Sequence, residues 1–336
     1  MTSMFFLLVG AAVLITGGEI LVRGAVRFAS LFKIPPLIIG LTIVAICTSA
    51  PEMAVSLVGI LGKSASADIA VGNVVGSNIY NMLFILGLTA LYRPLGISSV
   101  LVKREIPFLI VVSLATWLLA WITTRATEGG LLHAFPQWGG FLFIAAFIGY
   151  MIWTIRAVRK NSNDAMAQDL ADQQVTVPVQ TSLVKGTIIS LVLIAVGLAL
   201  LIWGSNMFVD GAVGVATLMG VSELVISLTV LAAGTSLPEL VVSLIAAIQG
   251  KQDIAIGNII GSNTFNLLGI LGLSSALVPG GLTLSRQAFV LDIPIMIAVA
   301  IVGGVLCITG RKLSRWEGAV LLLGYAFYVY YLFRFC

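Results

Sequence analysis

The chain has 336 residues, 59% of them apolar and only 10% charged, with a mean hydropathy of +1.11. Soluble domains carry about a quarter charged residues, so this composition excludes an ordinary water-soluble domain and places the chain in a bilayer. The formal net charge of +4 is accounted for by membrane topology and carries no nucleic-acid signal.

A spanning helix needs about 20 apolar residues. Ten such segments are expected in chain order, near 4–24, 36–60, 68–91, 106–124, 137–156, 184–207, 222–248, 253–277, 288–308 and 316–335. The first has no Lys or Arg before it and runs too long for a signal h-region, so it reads as a mature span. The polar stretch 157–183, with Asp164, Asp169 and Asp172 but without the glycine and ligand spacing of a calcium loop, reads as a cytoplasmic linker. Lys and Arg are retained on the cytoplasmic side. With both termini outside, 14 of the 18 basic residues fall on inner loops or adjoining helix ends, the exceptions being Lys63, Arg125, Arg286 and Arg334. Cys47, Cys307 and Cys336 are scattered and odd in number, which suggests packing residues and neither a disulfide framework nor a CxxC metal site.

The chain repeats itself. Residues 17–107 contain GGEILVRGAVRFA, IGLTIVAICTSAPEMAVSL and DIAVGNVVGSNIYNMLFILGL; residues 204–294 contain GSNMFVDGAVGVA, ISLTVLAAGTSLPELVVSL and DIAIGNIIGSNTFNLLGILGL. The offset is 187 from Gly17/Gly204 to Ser56/Ser243, 185 across Asp68/Asp253 and Asn81/Asn266, and 187 again at Pro107/Pro294. Five spans separate the copies, and an odd number makes the second enter the membrane from the opposite side. The expected fold is therefore an all-α integral membrane protein of ten transmembrane helices in two inverted five-helix repeats, 1–156 and 184–336, with the motif-bearing segments near 36–91 and 222–277. Secondary transporters of this design bind substrate near the midplane on discontinuous helices.

Of 14 acidic residues, most sit at expected span ends or in loops, and Glu19, Glu105, Asp210 and Asp292 lie close enough to helix ends to snorkel or pair with an Arg. Glu52 and Glu239 alone fall near the middle of long apolar runs, where an ionisable group costs about 2.5–3.5 kcal/mol. Each follows a proline, in Thr48-Ser49-Ala50-Pro51-Glu52 and Thr235-Ser236-Leu237-Pro238-Glu239. Proline lacks an N–H and clashes with the carbonyl four residues back, at Cys47 and Gly234. A break there frees carbonyls around Ala45 and Ala232 and sets hydroxyls beside the carboxylate. In the next span, Ser77 with Asn81 and Ser262 with Asn266 are i, i+4 pairs on one helix face. Glycines 72, 76, 257 and 261 give small-xxx-small patterns suited to close helix approach. All ten side chains, Thr48, Ser49, Glu52, Ser77, Asn81, Thr235, Ser236, Glu239, Ser262 and Asn266, offer oxygen. Hard cations such as Ca²⁺ and Na⁺ take oxygen ligands, whereas zinc or copper would want His or Cys. The one histidine, His133, falls in a loop between spans 4 and 5.

The paired motifs, TSAPE with GSNIYN and GTSLPE with GSNTFN, resemble those of the sodium/calcium exchanger branch of the calcium/cation antiporter (CaCA) superfamily, and the resemblance covers nearly the whole chain. It implies exchange of Ca²⁺ for Na⁺ by alternating access, spans 1 and 6 sliding across the other eight, in a monomer of the plasma (cytoplasmic or inner) membrane. It implies Glu52 and Glu239 as shared Ca²⁺/Na⁺ ligands, with side-chain or carbonyl oxygens of Thr48 and Thr235 completing the calcium site. Ser49, Ser77, Ser236 and Ser262, with the carbonyls of Ala45 and Ala232, would line Na⁺ sites, and Asn81 and Asn266 would face the middle. No cofactor is implied; the ions are substrates, and the lipid bilayer is the partner.

Two positions depart from the family pattern. Potassium-dependent members carry Asp where Asn266 stands, and Cys47 replaces a usual glycine. Coupling to H⁺ through Glu52 or Glu239, coupling to K⁺, and a passive cation channel stay open as alternatives. No HExxH or GxSxG pattern is present, so an enzyme is not expected.

Overall fold

The computed structural model describes residues 2–61, 67–127, 130–161, 183–220 and 232–335. The helices in chain order are α1 (Thr2–Phe32), α2 (Pro36–Thr48), α3 (Ala50–Leu61), α4 (Ala67–Tyr92), α5 (Leu101–Ile122), α6 (Gln137–Asn161), α7 (Leu183–Leu218), α8 (Ala232–Gly234), α9 (Leu237–Ile248), α10 (Gln252–Leu277), α11 (Ala288–Arg311) and α12 (Arg315–Phe335). Among the described residues, seven of these are long and apolar enough to cross a membrane, and the broken pair α2 and α3 makes an eighth. The chain is an integral membrane protein. α9 is the second part of the seventh expected span, whose first part, 222–231, lies outside the described residues, as does 162–182 of the expected linker.

Three features differ from expectation. α1 and α7 run to 31 and 36 residues, because polar residues such as Arg23, Arg27 and Asp210 continue the helix instead of ending it. At 1.5 Å per residue α7 is about 54 Å long, well beyond the roughly 30 Å hydrocarbon core. Secondly, wide π turns interrupt α2 at Gly40–Val44, α4 at Asn81–Ile85 and α10 at Asn266–Leu271, and open α5 and α11. Thirdly, connections expected to be plain loops pair as small antiparallel sheets: β1 (Leu95–Gly96) with β5 (Lys312–Leu313), and β3 (Gly130–Phe135) between β2 (Arg125–Thr127) and β4 (Leu282–Leu284). Strand pairing satisfies backbone groups that leave the helices.

The chain packs as two compact units, Met1–Thr48 with Gly149–Asn258 and Ser49–Ile148 with Ile259–Cys336. In the first unit α1 and α7 lie antiparallel. Gly10, Gly17 and Gly24 face Phe208, Leu201 and Ile194, while Gly197, Gly204 and Gly211 face Leu21, Leu14 and Leu7. Each helix thus offers a glycine every seven residues to the backbone beside a large residue on the other, a seam on a heptad period. A Cβ on Gly17 would lie 2.8 Å from the Leu201 nitrogen, and one on Gly204 2.7 Å from the Leu14 nitrogen, so the backbones touch. Gly17 and Gly204 are equivalent positions of the two repeats, and their helices run in opposite directions, as inversion requires. α9 packs on α1, where Gly18 meets Val241 and Ile245. α2 crosses the start of α10 at Gly40 and Gly257, a Cβ on Gly257 falling 2.7 Å from the Leu37 carbonyl oxygen. The close approach expected at Gly257 is present, whereas Gly72 and Gly76 have no described neighbour within 4 Å.

In the second unit α4 meets α12 at Gly87 and Gly318, and Ile106 of α5 fills the space over Gly304 of α11. His133 on β3 is buried; its Nδ1 lies 2.8 Å from Thr124 Oγ1 and its ring stacks on Phe289 at 3.8 Å. It serves packing. Of the carboxylates expected to pair near helix ends, Glu19 bonds Arg23 and the buried Glu105 bonds Arg104.

Gly204→Ala is expected to lower thermal stability in detergent by about 1–3 kcal/mol through overpacking. Gly149→Ala, at an exposed α6 position with no described neighbour within 4 Å, is expected to be neutral or stabilising by about 0.5–1 kcal/mol. Equal melting shifts in the two variants would contradict the seam.

Candidate cation site

Both proline-glutamate motifs break their helices. α2 stops at Thr48 and α3 starts at Ala50; α8 stops at Gly234, Thr235 and Ser236 form a turn, and α9 starts at Leu237. The new helices begin alike, with Met53 N–H donating to the Ser49 carbonyl and Leu240 N–H to the Ser236 carbonyl, each at 3.1 Å. Glu52 and Glu239 therefore sit in the first turn of α3 and α9. Carboxylates are favoured at that end of a helix because unsatisfied N–H groups give it a partial positive charge.

The carbonyl freed by Pro238 is that of Gly234, and it accepts the Ser205 hydroxyl of α7 at 2.8 Å. On the other motif the Thr48 hydroxyl reaches back to the Ala45 carbonyl at 3.3 Å. Ala45, Thr48, Ser49, Glu52, Ser236 and Glu239 are all fully buried. Thr235 Oγ1 is buried and meets no hydrogen-bond partner among the described residues.

Two asparagines that the sequence reading left out hold these turns. Asn73 Nδ2 donates to the Glu52 carbonyl and to Ser56 Oγ, both at 2.9 Å. At the equivalent place Asn258 Nδ2 donates to Ser243 Oγ at 3.0 Å and to the Glu239 carbonyl at 3.4 Å. Asn258 Oδ1 also accepts the Thr48 hydroxyl at 3.0 Å, so one amide joins the first repeat's Thr48 to the second repeat's Glu239. Asn73, Ser77 and Asn81 follow at i, i+4 and i+8 on α4, as do Asn258, Ser262 and Asn266 on α10. Each trio makes one polar stripe, and all but the half-buried Asn73 are buried. The signal was legible in GNVVGSNIYN and GNIIGSNTFN, where each asparagine recurs in both repeats.

The first unit holds Ala45, Thr48, Ala232, Thr235, Ser236 and Glu239; the second holds Ser49, Glu52, Ser77, Asn81, Ser262 and Asn266. Within the second, Asn81 and Asn266 each open a π turn, a local widening common at functional positions. The two are linked through Asn78 and Asn263. Asn81 Nδ2 donates to Asn263 Oδ1 at 2.9 Å, and Asn266 Nδ2 to Asn78 Oδ1 at 3.1 Å.

A family model described as sodium/calcium exchanger protein matches residues 2–156 and 189–334. The chain belongs to the sodium/calcium exchanger family. It is thus a membrane cation antiporter of the calcium/cation antiporter superfamily, a family of transporters and not of enzymes. It is 38% identical over 337 residues to the putative antiporter CaxA of Alkalimonas amylolytica, covering 99% of each chain. It is 32% identical to the sodium/calcium exchanger MaX1 of Methanosarcina acetivorans, covering 98% of each. Its fold is similar to that of the sodium-calcium exchanger NCX_Mj, with a TM-score of 0.77 and 27% identity over 100% of this chain and 99% of the other.

Within this antiporter, Asn258→Ala is expected to destabilise by about 1–2 kcal/mol, since interhelical hydrogen bonds in membranes average about 0.6 kcal/mol each and three are lost. Asn73→Ala, which loses two, should cost less. Thermal unfolding in detergent compares them, and the reverse order would contradict the described bonding.

Proposed function

We propose that this antiporter exchanges Ca²⁺ for Na⁺ by alternating access, with Glu52 and Glu239 as the carboxylate ligands of the transported ions. The observation that carries this reading is that both carboxylates are fully buried in proline-broken turns whose neighbouring side chains, Thr48, Ser49, Thr235 and Ser236, offer only oxygen. Two carboxylates neutralise one divalent cation, and neutral oxygens at Ser77, Ser262, Asn81, Asn266 and the Ala45 and Ala232 carbonyls suit several monovalent ions instead. Competition between ion types for the same oxygens is exchange. Similarity to proteins named sodium/calcium exchangers over nearly the full chain supports Na⁺ as the coupling ion, and Asn266 supports independence from K⁺. α1 and α7, joined backbone to backbone, suit the sliding pair that the resemblance assigns to alternating access. The distribution of Lys and Arg supports both termini outside.

The test is ⁴⁵Ca²⁺ uptake into proteoliposomes under imposed Na⁺, K⁺ or H⁺ gradients. Uptake is expected to follow an outward Na⁺ gradient and to be indifferent to K⁺. Uptake that ignores Na⁺ and follows the pH gradient would make the protein a Ca²⁺/H⁺ exchanger, and flux without a counter-ion would make it a channel. Glu52→Gln and Glu239→Gln should each slow Na⁺-driven uptake by about 10–100-fold or more, the scale of one lost charge-assisted bond. Parent-like rates in either variant would remove that glutamate from the ligand set.

A further inference from the structure

We propose that Asn78 and Asn263 are positioning residues that fix the amides of Asn81 and Asn266 with their oxygens turned to the transported cation. This rests on the reading that Asn81 and Asn266 line the ion path. A carboxamide has a donating end and an accepting end, so whichever end is held decides what the other presents. Asn263 Nδ2 donates to the Asn78 backbone carbonyl at 3.3 Å, and Asn78 Nδ2 donates to the Asn263 carbonyl at 3.2 Å and contacts Met296 Sδ at 3.7 Å. A backbone carbonyl can only accept, so both orientations are set. The Oδ1 atoms of Asn263 and Asn78 must then face Asn81 and Asn266, and they receive their Nδ2 groups at 2.9 and 3.1 Å. Turning Asn81 over would bring oxygen against oxygen.

What remains are Asn81 Oδ1 and Asn266 Oδ1. Both are buried and meet no hydrogen-bond partner among the described residues, in side chains of residues only 1% and 0% exposed. A buried acceptor without a donor costs free energy, and a cation supplies what a protein donor does not. The arrangement is two-fold symmetric between the repeats: two backbone carbonyls orient two amides, which orient two more, leaving two oxygens for the ion. Asn78 and Asn263 need not touch the ion.

The experiment measures protection of the purified full-length protein against thermal unfolding by Na⁺, K⁺ and Ca²⁺ titrated separately, for the parent, Asn263→Ala, Asn81→Asp and the double variant. A cation that binds the folded state raises stability with concentration. Asn263→Ala is expected to raise the protecting midpoint of Ca²⁺ about tenfold, the scale of one net hydrogen bond. In the Asn81→Asp background, where both side-chain ends are oxygen and orientation is immaterial, the same substitution should shift the midpoint less than about threefold. A midpoint unchanged by Asn263→Ala, or an equal shift in both backgrounds, overturns the positioning role while leaving the Ca²⁺/Na⁺ reading intact. If K⁺ alone protects the parent, the Ca²⁺/Na⁺ reading falls and the positioning role is judged on the K⁺ midpoint. A parent that no cation protects overturns both. Should Asn263→Ala fail to fold, Asn78→Ala with Asn266→Asp repeats the cycle in the other repeat.

Discussion

Hydrocarbon offers no hydrogen bonds, so every polar group carried into the bilayer must find its partner inside the protein or in the ion it transports. Glu52 and Glu239 impose that constraint at its highest cost, and the structure around them reads as a sequence of answers to it. Proline stops each helix one turn before the carboxylate. Of the carbonyls near the breaks, that of Gly234 is met from a neighbouring helix by the Ser205 hydroxyl and that of Ala45 from within its own helix by the Thr48 hydroxyl. Asn73 and Asn258 then tie the first turn of each new helix to the following span. A break that would be ruinous facing lipid becomes a fixed, oxygen-lined turn.

Asparagine suits this work because its side chain donates and accepts at once and stays neutral. Asn258 uses both ends to join Thr48 with Glu239 and Ser243, and Asn78 and Asn263 do the same between α4 and α10, each donating to a backbone carbonyl and accepting from Asn266 or Asn81. A carboxylate there would lack the donor, and an apolar residue would strand the carbonyls. The heptad glycines of α1 and α7 meet a different need. Lipid provides no hydrophobic drive for helices to associate, so close van der Waals contact must hold them, and glycine opposite leucine gives the closest approach.

Much of this was legible in the chain itself. The offset of 187 residues between motifs and the odd number of intervening spans required an inverted repeat, and α1 and α7 are antiparallel as that demands. The prolines marked both breaks, and the apolar flanks of Glu52 and Glu239 marked both as buried. The α1/α7 seam was also present in sequence, as glycines at 10, 17, 24 and 197, 204, 211, but a heptad of small residues is conspicuous only once two particular helices are known to face each other. Asn73, Asn78, Asn258 and Asn263 were passed over for a similar reason: an asparagine beside a hydroxyl pattern reads as helix glue until its partner is identified.

Sequence alone determined the membrane class, the two-fold repeat, the broken spans and the oxygen chemistry of the motifs, because each follows from residue type and spacing along one chain. Tertiary structure decided which amide faces which carbonyl, where helices widen into π turns, how far α1 and α7 extend, and that the loop residues at 125–127, 130–135 and 282–284 pair as strands. Those depend on groups that are distant in the chain and satisfy one another only after folding. The orientation of Asn81 is the clearest instance: it is settled by a carbonyl on its own helix acting through a side chain from the other repeat.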